Sequence, residues 1–160
     1  MPPSPSLGSQ LFFKEEVMPA TVQFVDPTIK VKNVARSAEW YGRMLGLRVE
    51  TAMPDKKKPS FVRMTTGDPR GVAIMLGDGS DPMSGKKAPK ATADAIASRK
   101  APRVVSLYFR VDKAIDALYR SARRKGANVL SPPTDMPYGL REFHLRDPDG
   151  YDVAVAQELG

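Results

Sequence analysis

The feature that most constrains the fold is a repeat of structural signals rather than of letters. The stretch from Val31 to Gly46 and the stretch from Val111 to Gly126 carry the same order of signals, 80 positions apart. In the first, Thr28-Ile29-Lys30-Val31-Lys32 alternates polar and apolar residues, the period of a strand. Asn33 suits a helix cap. Val34, Ala38, Tyr41 and Leu45 then fall on one helical face, and Gly46 suits a C-terminal stop. Leu47 and Val49 alternate with Arg48 and Glu50. Phe61 to Thr65 and Val72 to Leu76 flank Gly67-Asp68-Pro69-Arg70-Gly71, a hairpin signal. In the second half Ser106 to Val111 alternates, and Asp112 is the expected N-cap. Ile115, Leu118 and Ala122 make the helical stripe, and Gly126 stops it. Val129-Leu130 begins a strand, and Arg141 to Leu145 and Asp152 to Ala156 form two more. The order predicts an α+β fold of two β-α-β-β-β units.

The chain of 160 residues has room for both units. At this size it buries roughly two-thirds of its unfolded surface and needs no covalent staples. Cysteine is absent, which excludes disulfides, thiolate metal sites and cysteine nucleophiles. A single histidine, His144, excludes a multi-histidine centre within one chain. No window approaches the ~20 apolar residues of a membrane span, and Leu11-Phe12-Phe13 is too short for a signal-peptide core. Residues 1–20 read as a flexible arm, 21–77 and 104–160 as the two units, and the protein as cytoplasmic. The net charge of +7 would favour nucleic acid only if it were focused. Much of it sits at Lys56 to Lys58 and between Lys86 and Arg103, which read as solvated loop. Residues 78–103 read as a mobile linker, with a lid over a site as the alternative.

Strand alternation divides the side chains into two sets. Ile29, Val31, Val62, Met64, Ile74, Leu76, Leu107, Phe109, Val111, Phe143, Leu145, Val153 and Val155 must meet the helices. The other set holds Asp26, Thr28, Lys30, Phe61, Arg63, Ala73, Met75, Ser106, Tyr108, Arg110, Glu142, His144, Arg146, Ala154 and Ala156. Its mixture of carboxylates, hydroxyls, aromatics and alanines suits a curved sheet around a half-polar pocket. His144 and Glu142 share that face on one strand, where they can bond a ligand or act as acid and base. Tyr108 offers a ring and a hydroxyl. Trp40 is expected to pack in the core or an interface, and Arg141 to face the helices' side or a sheet edge and pair with a carboxylate. Asp147-Pro148-Asp149-Gly150 lacks the further carboxylates of a calcium loop and reads as turn chemistry. Phosphate loops and nucleophile elbows are absent.

Two local signatures go further. One runs from Val31 to Tyr41 and on to Leu45-Gly46; the other runs from Tyr138 to Tyr151, through Arg141-Glu142-Phe143 and Arg146-Asp147-Pro148-Asp149-Gly150. Together they resemble the vicinal oxygen chelate superfamily of glyoxalase I, bleomycin-resistance proteins and extradiol dioxygenases, over roughly residues 22–158. The resemblance implies paired modules whose sheets form an incomplete barrel around a concave site. It also implies pairing of modules within or between chains, and so a homodimer. Metal-dependent members place ligands on the first and last strand of each module. Carried over, these positions are Asp26, Met75, Ser106 and Ala154. Only Asp26 suits a hard or borderline cation; a hydroxyl is poor, a thioether is soft and alanine offers nothing.

The branch implied is therefore metal-free, with no cofactor and no assigned catalytic residue. It would sequester a drug or metabolite, as in antibiotic resistance, although cationic bleomycin fits a basic chain poorly. The ligand-binding set is Asp26, Thr28, Phe61, Met75, Ser106, Tyr108, Glu142, His144 and Ala154. The alternative is a glyoxalase-like lyase or a dioxygenase with a divergent metal site at Asp26, Glu142 and His144, or metal-free chemistry at His144. A third reading is a nucleic-acid or protein-interaction module using the basic linker. The expected partners are a small molecule and a second copy, without nucleic acid or membrane.

Overall fold

The structure is a computed structural model that describes residues 27–68, 71, 74–91, 93–94 and 105–160. Asp26, Ala73, the arm at 1–20 and the linker residues 95–103 lie outside the described residues. The elements follow in the order β1 (Thr28–Lys30), α1 (Val34–Leu45), β2 (Arg48–Met53), β3 (Phe61–Thr65) and β4 (Ile74–Gly77), then β5 (Ser106–Val111), α2 (Ile115–Arg124), β6 (Asn128–Asp135), β7 (Leu140–Arg146) and β8 (Asp152–Glu158). They build two four-stranded sheets, ordered β1-β4-β3-β2 and β5-β8-β7-β6. In each, the first and last strands pair in parallel and the other pairs are antiparallel. The sheets do not close into a barrel. The fold is α+β, two β-α-β-β-β units in tandem, as the repeat predicts.

Alternation assigns the faces. Ile29, Val62, Met64, Ile74 and Leu76 of the first sheet are buried, as are Leu107, Phe143, Leu145, Val153 and Val155 of the second. They form one continuous core with the helices, and Phe109 and Val111 pack against it partly buried. On α1, Asn33 Oδ1 accepts a hydrogen bond from Arg36 N at 2.9 Å, which satisfies a free donor of the first turn. Gly46 ends the helix at φ 73°, a conformation that suits a residue without Cβ. Met44 is buried while Leu45 is half-buried, because the buried arc is wider than the stripe read from spacing alone. Trp40 packs edge-on to Tyr41, with ring centroids 4.9 Å apart.

The second helix corrects one expectation. Asp112 is not its cap. The helix begins at Ile115, and the residue before it, Ala114, has φ 61° and no capping side chain. Instead Gln157 Oε1, on β8, accepts the Ile115 N–H at 3.0 Å. The reason is register: Val111 pairs with Gln157, so the strand neighbour stands where the chain turns into the helix.

Arg141 faces α2 and makes a two-pronged bond to Asp116, at 2.8 and 3.1 Å, and a further bond to Asp135 at 2.6 Å. These contacts hold the Asp116 carboxyl below its usual range and the guanidinium pKa above its own.

The turn between β7 and β8 joins the two units. It is a turn, with Gly150 N donating to Asp147 O, but its carboxylates are buried. Asp149 accepts from Lys32 N and Ser37 Oγ, both at 2.7 Å. Asp147 accepts from Tyr41 Oη at 2.9 Å, and also from the N–H groups of Asp149 and Tyr151. Tyr151 Oη in turn donates to Lys30 O at 2.8 Å. Burial raises the Asp147 pKa against the pull of these donors. Burial, and then the neighbouring Asp147 charge, push the Tyr41 phenol well above its ordinary value.

Candidate functional site

The face of each sheet turned away from its helix is set by register. On the first sheet one row runs Thr28, Met75, Arg63, Thr51, and the next runs Lys30, Gly77, Phe61, Met53. Thr28, Met75 and Phe61 therefore share a face, with Met75 and Phe61 half-buried. Arg63 bonds Glu50 on the same sheet. On the second sheet one row runs Tyr108, Ala154, His144, Ser131, and the next runs Arg110, Ala156, Glu142, Thr134. Ser106 begins β5 on this face. The structure thus brings Ser106, Tyr108, Glu142, His144 and Ala154 together, and places Thr28, Phe61 and Met75 on the other sheet.

Glu142 is the centre of the second group. It is 3% exposed, although it stands on the open face of β7. Tyr108 Oη donates to its Oε2 and Tyr138 Oη donates to its Oε1. His144 Nε2 stands 3.6 Å from Oε1. Tyr108 belongs to β5, two strands from β7, so its hydroxyl must cross β8, a span of about 10 Å between strand axes. The residues of β8 that the path passes are Ala154 and Ala156, both buried. A longer side chain at either position would obstruct the crossing. The bonds leave the tyrosine rings open, with Tyr108 47% and Tyr138 60% exposed.

The face carries two more ion pairs, Arg110 with Glu158 at 3.1 Å and Arg146 with Asp152 at 2.8 Å. Both are solvated and contribute little to stability, but they neutralise those side chains. Glu142 has no lysine or arginine partner among the described residues.

Tyr138 is the site residue that alternation missed. It lies in the β6–β7 loop, where Gly139 takes φ 83° and donates to Met136 O. A loop residue has no strand face to assign. The available signal was its place within the second signature, four residues before Glu142.

Of the four positions where the family resemblance puts metal ligands, Asp26 lies outside the described residues, and the three described ones do not fit a divalent ion. Met75 offers a thioether, Ser106 a neutral hydroxyl and Ala154 no donor. Among the described residues no three histidine, aspartate or glutamate side chains gather as a ligand set.

The Glyoxalase/Bleomycin resistance protein/Dioxygenase superfamily matches residues 22–155, which takes in both signatures and every strand but the end of β8. The chain belongs to that superfamily. No curated protein matches it in sequence. Among solved structures, UcmS2 superposes with a TM-score of 0.67 at 20% identity, over 86% of this chain and 98% of that one. TioX from Micromonospora sp. ML1 gives 0.59 at 18% identity, over 86% and 97%. A glyoxalase/bleomycin resistance protein/dioxygenase from Nocardioides gives 0.59 at 20%, over 88% and 86%. At such identities these likenesses show the fold of the superfamily member alone.

Proposed function

We propose that this superfamily member binds a small organic molecule, a drug or metabolite, and sequesters it without a metal ion and without turnover. The observation that carries the proposal is the reach of Tyr108 over Ala154 to Glu142, at a position where the family resemblance puts a metal ligand. A position that would grip a metal is given over to an aromatic-walled carboxylate. Ser106, Tyr108, Glu142, His144 and Ala154 form one wall. Thr28, Phe61 and Met75 form the other, contributed by the same chain or by a second copy in a homodimer, and Asp26, outside the described residues, completes the proposed ligand set. In this proposal the protein works in the cytoplasm.

Elemental analysis after mild dialysis tests the metal-free reading. No stoichiometric transition metal is expected, and about one tightly held zinc, iron, nickel or manganese per chain overturns it. A thermal-shift screen then finds the ligand class, because a molecule that binds only the folded state raises stability by RT ln(1 + [L]/Kd). Light scattering across a dilution series tests the dimer; a monomer persisting at high micromolar concentration rejects it. The second reading, a lyase or oxygenase with a divergent metal site, is favoured by Glu142 and His144 standing 3.6 Å apart, and the same elemental analysis separates the two.

A further inference from the structure

We infer that the second sheet's open face takes a ligand carrying an organic ammonium or a similar compact cation, with Glu142 as its counter-charge. The inference rests on the binding role proposed above and names the chemistry of the ligand. A buried carboxylate is ordinarily matched by a cation. Asp116 and Asp135 have Arg141, Asp152 has Arg146 and Glu158 has Arg110. Glu142, the most buried carboxylate on this face, is met among the described residues by two tyrosine hydroxyls and by the His144 imidazole at 3.6 Å, with no lysine or arginine beside it. Two hydroxyl donors orient the carboxylate but bring no compensating charge.

The groups that meet it complete a cation receptor. Tyr108 arrives from β5 and Tyr138 from the β6–β7 loop, so aromatic rings approach the carboxylate from two elements. Their rings are open to solvent while their hydroxyls are fixed. Aromatic faces attract an ammonium, and the attraction adds to that of a carboxylate beside them. The chain's net charge of +7 does not oppose this, because Arg110 and Arg146 on the same face are already paired.

The experiment is a charge series of one shape: phenethylammonium, 2-phenylethanol and 3-phenylpropanoate, each titrated into the full chain. The single histidine provides a lone imidazole reporter beside Glu142, read by proton NMR. Phenethylammonium is expected to move the His144 signal saturably, with an affinity about fivefold or more above that of 2-phenylethanol. Glu142→Gln is expected to reduce that preference to less than about twofold. Tyr138→Ala, at an exposed loop residue, is expected to weaken the ammonium probe without unfolding the chain. Equal or tighter binding of the neutral or anionic probe overturns the cation assignment while leaving a binding face in place. If no probe moves His144 at millimolar concentration, the face is not a ligand site and the functional proposal falls with the inference. The wild-type series decides the matter even if Glu142→Gln does not fold.

Discussion

Ser37 and Asp149 stand 112 positions apart, yet the Ser37 hydroxyl donates to Asp149 Oδ2 across 2.7 Å inside the protein. One residue lies on the first helix and the other in the last hairpin turn. Each belongs to one of the two local signatures, so the signatures are two sides of a single contact. Asp149 also accepts Lys32 N, just before α1 begins, and its neighbour Asp147 accepts the Tyr41 hydroxyl one helical turn further on. The turn thus fixes the start of α1 and one face of it. That contact holds β7 and β8, and with them Glu142, His144 and Ala154, against the first unit.

Asp149→Ala should therefore cost stability out of proportion to its size. It leaves the Ser37 hydroxyl and the Lys32 N–H buried or half-buried without this acceptor, a loss of about 1–3 kcal/mol per orphaned group. Ser37→Ala removes the donor as well as the bond, and should cost about 1 kcal/mol. Urea unfolding with a common slope measures both. Equal losses in the two variants would show that Asp149 is not the anchor described.

Asp147 predicts a pH dependence with a definite sign. Burial raises its folded pKa above the unfolded value near 3.9. The folded state then holds the proton more tightly than the unfolded state, so this carboxyl stabilises the fold fully below the unfolded pKa. The contribution is lost as pH rises through the folded value. Asp147→Asn removes the titration and keeps an acceptor oxygen. The stability of the wild type minus that of Asp147→Asn should be largest in acid and should fall as pH rises above about 4. Denaturant titrations between acid and neutral pH give this difference, and a difference that grows with pH would reverse the assignment.

Particular residues show how far the sequence could be read. The alternation at Arg141-Glu142-Phe143-His144 was enough to place Phe143 and Arg141 toward α2 and Glu142 and His144 away from it, because a strand offers two faces only. Asn33 and Gly46 were legible because helix ends make local demands. Gln157 was not legible as a cap: its partner Ile115 is 42 positions away and meets it through strand register. The burial of Glu142 was equally hidden. Alternation gives a face but not what lies on it, and the cover comes from Tyr108 across the sheet and from Tyr138 in a loop. The Asp-Pro-Asp-Gly turn carried its turn chemistry in the letters and its inter-unit bonds only in three dimensions.

The crossing of Tyr108 over β8 makes Ala154 a sensitive position for a reason unrelated to its own contacts. Ala154→Leu adds side chain directly under the path from Tyr108 to Glu142. The Tyr108 bond should break, and overpacking of a buried position should cost about 1–3 kcal/mol. Ala154→Gly leaves the path clear and carries only the backbone penalty of about 0.5–1 kcal/mol. Tyrosine absorbance and ligand binding, read on both variants, should change in the first and stay close to wild type in the second. Retention of binding in Ala154→Leu would mean that the crossing is not what shapes the face.

The sharpest test of the face assignment compares neighbours on one strand. Phe143 is 0% exposed and meets Tyr119 edge-on, with centroids 5.5 Å apart. Truncation to alanine opens a cavity beneath α2 and should cost about 3–5 kcal/mol. His144 points the other way, partly solvated, with Ala154 and Ser131 beside it in the ladder. His144→Ala should cost little stability and weaken ligand binding. The loss of one hydrogen bond is worth about 0.5–1.5 kcal/mol, so binding should be reduced rather than abolished. Because a slip of one residue exchanges the two faces of a strand, the pair of variants is diagnostic where either alone is not. Should His144→Ala unfold the protein while Phe143→Ala leaves it intact, β7 carries the opposite register, and Glu142 points into the core instead of toward a ligand.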